Sequence, residues 1–227
     1  ITEVKYSAEA LSSLALGISI SSGIYAGIQA ILEQIFTPQF YINIKAEKIE
    51  REKEWQRLQE LTLPLYVLTF FFIVAFAKYI GEIFLSQNFD KIVLYIQLGA
   101  CINFVRILIN NLQFITVSEK ITKKMIIPSL ISSSVLLILL FFIDFSTKLY
   151  LIPVSIILSF FLSLIFLYYS LAKRFNIKIP IVSIFWPSIP IVFFLFANGV
   201  FALSNFLVFS IFCIYYAGMF ILFINKK

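Results

Sequence analysis

The chain has 227 residues, of which 61% are hydrophobic and 13% charged, and its net charge is +6. A soluble domain is about 45–50% apolar and about 25% charged, so soluble enzymes, nucleic-acid-binding proteins and disordered proteins are excluded as first interpretations. With no histidine and only two cysteines, the usual zinc clusters and Ser-His-Asp triads cannot be built, and the sequence predicts no metal, no cofactor and no enzyme activity.

Seven apolar segments are long enough to cross a bilayer, because a hydrocarbon core about 30 Å thick needs roughly 20 helical residues. In chain order they are Ser7–Phe36, Leu61–Leu85, Ile92–Val117, Met125–Phe145, Leu149–Ala172, Ile179–Ala197 and Phe201–Ile224. Each segment is continuously apolar, whereas the strands of a membrane barrel would alternate between apolar and polar residues. The sequence therefore predicts an all-α integral membrane protein.

Lysine and arginine are distributed unequally between the alternate gaps of this topology. One set of gaps holds thirteen of them, in residues 45–57, 120–124, 173–178 and 226–227, and the opposite set holds three. Cytoplasmic loops are enriched in these residues, so we expect the N-terminus outside and the C-terminus in the cytoplasm. The chain begins with Ile and carries no basic signal region, and we therefore expect at least one helix upstream in a longer protein.

Residues 41–60 hold five basic and five acidic side chains. Several of them have the spacing of ion pairs on a helix, such as Glu47 with Arg51. The segment is predicted to be a charged cytoplasmic helix over residues 40–60 that sets the orientation of the protein, and docking of a partner is the alternative. Trp55 is expected at the level of the lipid headgroups.

Helix one carries a stripe of small and polar side chains. The stripe consists of Ser12, Ala15, Ser19, Ser22, Ala26, Gln29 and Glu33. Such a face either packs tightly against another helix or borders water. Gly23 and Gly27 form a GxxxG step on another face, which permits close helix approach. Glu33 is either a solvated carboxylate or the partner of a basic residue.

Arg106 is the clearest ionisable residue at membrane depth. It lies in the middle of helix three, and Asn103, Asn110 and Gln113 fall with it within about 80° on a helical wheel. Because a charge facing hydrocarbon is costly, we expect Arg106 to face a water-filled cavity, an acidic partner or an anionic ligand. Its forked guanidinium suits phosphate. Bonding of these polar side chains to other helices is an equally favoured interpretation.

Helix six is interrupted by Pro187 and Pro190, which lie beside Trp186. A proline within a membrane helix removes a backbone hydrogen bond and bends the helix. We expect a bend here, and either conformational motion or packing would account for it.

Five short motifs occur in a characteristic order along the chain. They are Tyr6-Ser7-Ala8, Pro38 before the charged helix, Ile83-Phe84 followed by Phe89, the polar turn Ser118–Lys124 and the outer-loop pair Ile152-Pro153. With the alternating loop charges, they make residues 6 to about 175 resemble the C-terminal lobe of Wzx-type polysaccharide flippases, a branch of the superfamily that includes MATE exporters.

The resemblance implies a full protein of about 12–14 helices in two lobes around a central cavity, working by alternating access. Residues 1–175 would belong to the C-terminal lobe, residues 176–227 would add two transmembrane helices, and the N-terminal lobe would be missing. The expected activity is the flipping of an undecaprenyl-diphosphate-linked glycan across the bacterial cytoplasmic membrane, for polysaccharides such as O-antigen or teichoic acid. Membrane lipids, a polymerase and glycosyltransferases are the expected partners, and nucleic acid is not.

On this resemblance the candidate substrate-binding residues are the polar residues of helices one and three. They are Arg106, Asn103, Asn110, Gln113, Ser19, Ser22, Gln29 and Glu33. Arg106 would contact the diphosphate, and the amides of helix three would bond sugar hydroxyls. A MATE-like cation-coupled exporter is the alternative, and it would use Glu33 as its acidic residue. A membrane enzyme of the same pathway is a third hypothesis, disfavoured because it normally needs sizeable polar loops.

Overall fold

The computed structural model describes residues 8–42, 47–84, 90–119, 121, 123–142, 149–177, 181–192 and 205–225. Within these ranges the chain is helical and contains no strand. The helices are α1 (Ala8–Ile42), α2 (Lys48–Phe84), α3 (Asp90–Ser118), α4 (Lys123–Phe142), α5 (Leu151–Ala172), α6 (Ile181–Phe185) and α7 (Asn205–Asn225), and a 3-10 turn, Trp186–Ser188, follows α6.

Five of the described helices, α1 to α5, are long and apolar enough to cross a membrane, and α7 contains a shorter apolar stretch, Phe209–Asn225. The prediction of an all-α membrane protein is confirmed, while seven is an approximate count of its crossings. The predicted sixth helix is described only over residues 181–192. It is broken there by the 3-10 turn at Pro187, as the prolines predicted, and its remainder lies outside the described residues.

Two predicted boundaries differ from the structure. The first helix was expected to end at Phe36 but continues through Pro38 to Ile42, because a proline near a helix end removes only one hydrogen bond and Phe40 beyond it packs edge-on against Phe114. The charged segment is not a separate helix over residues 40–60. It forms the first turns of α2, which continues from these charged turns into the apolar span and reaches Phe84 with a kink at Phe76.

Packing of these first turns explains the continuity of α2. Trp55 was expected among lipid headgroups, but it is only 5% exposed. Its indole Nε1 donates a hydrogen bond to the carbonyl oxygen of Asn111 on α3 at 3.1 Å. A buried indole needs such a partner for its N–H, and the bond fixes the charged end of α2 against α3.

Helix α3 lies among the other spans. It packs against α1, α2 and α5, while α4 packs on α5, and α6 and α7 pack on α2. Fully buried side chains from four helices meet around it; they include Tyr25, Leu32, Leu65, Ile73, Phe76, Ile96, Ile107, Leu167 and Leu171. The polar residues of α1 and α3 are therefore placed by the contact between these two helices.

Two glycines allow α1 and α3 to approach closely. A Cβ added at Gly99 would overlap Ser21 Oγ and lie 3.0 Å from Ile18 Cα, and a Cβ at Gly17 would meet Tyr95. No described atom lies within 4 Å of a Cβ placed on Gly23 or Gly27, so the predicted GxxxG step does not mediate this approach. Close backbone contact through small residues is typical of packed membrane helices.

Candidate functional site

The polar stripes of α1 and α3 lie side by side. The two helices run parallel, because Gly17 meets Tyr95 near one end and Phe40 meets Phe114 near the other. Between these contacts, Asn103 Nδ2 donates hydrogen bonds to Ser22 Oγ at 2.9 Å and to the Gly99 carbonyl at 2.8 Å. The two stripes that were predicted separately therefore meet at this bond.

Asn103 and Ser22 have packing roles in this surface. Asn103 is 1% exposed, and its amide nitrogen is engaged by the two bonds to α1 and to its own helix. Its Oδ1 is buried and has no hydrogen-bond partner among the described residues, and its expected contact with a sugar hydroxyl stays a prediction. For this residue, the structure follows the interpretation in which polar side chains bond another helix. Ser22, which accepts the bond, is half-buried.

Arg106 has a different environment from Asn103, although the two residues are only one turn apart. Its side chain is exposed, and Asn110 and Gln113 beside it are half-buried. Among the described residues, Arg106 makes no hydrogen bond or ion pair. The acidic partner considered for this guanidinium is therefore not found in the described part of the chain, and the guanidinium is free to meet an anion.

One exposed side of α1 carries mostly small side chains. The small residues that are exposed along it are Ser12, Ala15, Ser19, Gly23, Ala26, Gly27 and Ala30. We call these seven residues the α1 small-residue face. Its small side chains leave free volume beside α1, which bulky apolar side chains would fill.

Glu33 continues this surface toward the end of α1. It is exposed and accepts a hydrogen bond from Gln29 Nε2 at 2.6 Å, and Gln29 itself is half-buried. The carboxylate pairs with a neutral amide of its own helix one turn away. Among the described residues, the structure shows no cation bonded to it.

Chemically, Arg106 with Asn110 and Gln113 offers one permanent cation and two amides, and the α1 small-residue face offers exposed hydroxyls and little side-chain bulk. This combination suits a phosphorylated or sugar-bearing molecule. Comparison of the chain with protein-family models, with curated proteins and with solved structures finds no match.

A second feature of the structure was not predicted. A cleft of about 350 Å³ opens between α2, α3 and α5. Its lining residues are Trp55, Gln59, Leu63, Leu108, Asn111, Leu112, Leu164, Ile165, Tyr168, Tyr169 and Ile177. We call it the α2–α3–α5 cleft. None of the predicted site residues lines it, because Leu108 and Arg106 project from α3 about 160° apart.

Two polar residues in the sequence, Gln59 and Asn111, indicate this cleft, but their burial was not predicted from the sequence. Gln59 was treated as part of a solvated charged helix, and Asn111 adjoins the predicted stripe residue Asn110 but projects about 100° away from it. Both residues are buried. The position of Gln59 on the apolar side of the charged segment is the sequence feature that indicates a buried polar site there.

An ion pair closes the end of the helices beside this cleft. Arg51 Nη2 of α2 lies 2.7 Å from Glu119 Oε1, directly after α3. Lys48 Nζ donates to the carbonyl oxygen of Arg174 at 2.8 Å, and Gln56 Nε2 donates to that of Asn176 at 3.0 Å. The charged turns of α2 therefore bind the chain that follows α3 and α5.

Proposed function

We propose that this chain is the C-terminal part of a two-lobed transporter that flips an isoprenoid-diphosphate-linked oligosaccharide across the bacterial cytoplasmic membrane. The observation that carries the proposal is Arg106, an exposed guanidinium in the middle of a membrane-spanning helix that bonds no described residue. The resemblance of its sequence motifs to polysaccharide flippases supplies the substrate class.

The cost of exposing Arg106 to lipid favours a covered, polar location in the assembled protein. An arginine at the centre of a membrane helix costs roughly 2.5–3.5 kcal/mol on insertion scales. A second lobe placed against α1 and α3 would enclose the guanidinium in a cavity together with Asn110 and Gln113. There it would hold a diphosphate by paired N–H···O bonds, while the half-buried amides bond sugar hydroxyls.

The α1 small-residue face supports the same assignment. An oligosaccharide needs free volume beside its binding groups, and alanine, glycine and serine leave that volume in front of α1. Rocking of two lobes would then expose the site alternately to each side of the membrane. Asn103 and Ser22 would keep α1 and α3 together as one rigid wall during this motion.

The test is the replacement of Arg106 in the complete transporter, measured as display of surface polysaccharide at equal protein level in the membrane. Loss of a charge-assisted bond of about 1.5–3 kcal/mol predicts that Arg106→Ala weakens substrate binding by roughly 10–100-fold, with partial recovery in Arg106→Lys. Lys78→Ala, which removes an exposed cation from α2, is the matched control. Normal display with Arg106→Ala contradicts the proposal.

A cation-coupled exporter is the second candidate, and the exposed position of Glu33 on the same surface favours it. In that case the carboxylate would bind and release the coupling ion. Glu33→Gln would then abolish ion-driven export, whereas a flippase that does not use this carboxylate would retain its activity. The two replacements, at Arg106 and at Glu33, therefore separate the candidates.

A further inference from the structure

The α2–α3–α5 cleft contains two amide donors that have no partner. Gln59 is 2% exposed and Asn111 is 6% exposed, and neither Gln59 Nε2 nor Asn111 Nδ2 has a hydrogen-bond partner among the described residues. A buried donor without an acceptor is costly, and such groups are rare in folded proteins. Both residues line the same cleft, so one acceptor-bearing molecule in the cleft could satisfy both of them.

The other residues that line the α2–α3–α5 cleft favour an apolar ligand. Apart from the two amides, the lining consists of aliphatic and aromatic side chains, and about 350 Å³ lies within the roughly 300–1,000 Å³ that is typical of small-molecule sites. Ile165 and Tyr169 both line the cleft and are among the exposed hydrophobic residues of α5. Because the neighbouring Phe161 and Phe166 are exposed as well, the cleft opens on an exposed apolar surface of α5, which suits contact with lipid chains.

The charges near one end of the cleft favour a ligand with an anionic polar group. Trp55 and Ile177 border both the cleft and a smaller pocket that contains the Arg51–Glu119 ion pair, and these two charges neutralise each other. Lys173 and Arg174, four and three residues before Ile177, have exposed side chains. Basic residues at the cytoplasmic surface attract anionic lipids, and the loop charges predict that this end is cytoplasmic.

We propose that the α2–α3–α5 cleft binds an anionic phospholipid of the cytoplasmic leaflet. One acyl chain lies along the apolar lining, and an ester carbonyl accepts hydrogen bonds from Gln59 Nε2 and Asn111 Nδ2. The phosphate lies toward Lys173 and Arg174. This site is separate from the surface around Arg106, and the inference does not depend on the proposed transport activity.

Trp55 provides a direct reporter for the bound lipid. The chain has two tryptophans, and Trp186 is exposed, so Trp186→Phe leaves Trp55 as the single tryptophan at little cost, and excitation at a wavelength that tyrosine does not absorb reports on Trp55 alone. The variant protein is reconstituted into phosphatidylcholine vesicles containing increasing fractions of phosphatidylglycerol with brominated acyl chains. Bromine quenches tryptophan on contact, and of the two pockets that Trp55 borders only the cleft, at about 350 Å³ against about 10 Å³, has room for an acyl chain.

We expect saturable quenching of Trp55 at a low fraction of brominated phosphatidylglycerol, and weaker quenching by brominated phosphatidylcholine. Replacement of both donors, Gln59→Leu with Asn111→Leu, should raise the fraction needed for half-quenching on the order of tenfold. Gln34→Leu, at an exposed position of α1, is the matched control and should leave the curve unchanged.

A second variant keeps the test decisive if the donor replacements impair folding. Leu164→Phe places a larger side chain in the cleft and should reduce quenching, whereas Leu162→Phe, on the exposed side of α5, should not. Absence of quenching, or quenching that neither variant changes, overturns the site. Equal quenching by the two phospholipids overturns the assignment to an anionic lipid. Displacement by unlabelled isoprenyl phosphate, with none by phosphatidylglycerol, overturns it in favour of an isoprenoid ligand.

Discussion

Asn103 Nδ2 of α3 and Ser22 Oγ of α1 lie 2.9 Å apart, and this bond is where the two polar stripes of the chain meet. Since Asn103 also donates to the carbonyl oxygen of Gly99, a single buried amide holds its own helix and the neighbouring helix in register.

Removal of this bond should have a modest cost. Hydrogen bonds between membrane helices are worth about 0.6 kcal/mol on average, so we expect Ser22→Ala to lower the free energy of unfolding by roughly that amount. Asn103→Leu should cost more, because it also loses the bond to Gly99 and changes a well-packed position. A double-mutant cycle, measured by unfolding in mixed detergent, isolates the coupling. A coupling energy of zero would show that the two side chains do not interact.

The close approach of α1 and α3 predicts a large difference between two glycine replacements. Gly99→Ala places a Cβ against Ser21 Oγ and close to Ile18 Cα, and such overpacking costs about 1–3 kcal/mol. Gly23→Ala places its Cβ in open space and should be neutral or slightly stabilising, because alanine is a better helix former by about 1 kcal/mol. Thermal unfolding of the two variants in the same detergent makes the comparison. Equal destabilisation of the two variants would contradict the close contact between α1 and α3 at Gly99.

These glycines show which part of the fold could be predicted. Length and hydropathy are local properties, so the spans were predicted from the sequence. The pairing of helices depends on register, which a single sequence does not display. The GxxxG step of Gly23 and Gly27 predicted a close helix approach, whereas the contact uses Gly17 and Gly99, two glycines on different helices. No spacing within one helix could have identified that pair.

The polar stripe of α3 shows the same limit for the candidate site. Asn103 and Arg106 differ by only about 60° around the helix, and the sequence therefore assigned them one environment. In the structure, α1 covers the edge of the stripe that carries Asn103 and leaves Arg106 exposed. The identities of the polar residues were predictable, but their division into packing and exposed residues needed the position of the neighbouring helix.

The Arg51–Glu119 pair should contribute little but measurable stability. Its side chains are 22% and 17% exposed, and both Nε and Nη2 of Arg51 bond the same carboxylate oxygen. Partly exposed ion pairs are worth about 0.2–1 kcal/mol, so Glu119→Gln should lower the free energy of unfolding within that range. The loss should shrink at high salt, because ions screen the pair.

The control for this ion pair is Glu52→Gln. Glu52 lies 3.8 Å from Lys48, whose side chain is 53% exposed, and its replacement should have a smaller effect. Unfolding in detergent at low and at high salt gives both comparisons. An effect of Glu119→Gln that is the same at both salt concentrations would assign its role to packing rather than to charge.

Thiol labelling distinguishes a water-lined surface from a lipid-facing one without knowledge of the substrate. The native Cys101 and Cys213 are free and half-buried, and we expect their replacement by alanine to be tolerated. In that background Ala26→Cys, on the α1 small-residue face, should react with a charged, membrane-impermeant maleimide, because water allows the thiol to ionise. Leu137→Cys, on the exposed apolar side of α4, should not react. Failure of Ala26→Cys to react from either side of the membrane would mean that lipid or a packed helix covers this face, which would then not border an aqueous substrate cavity.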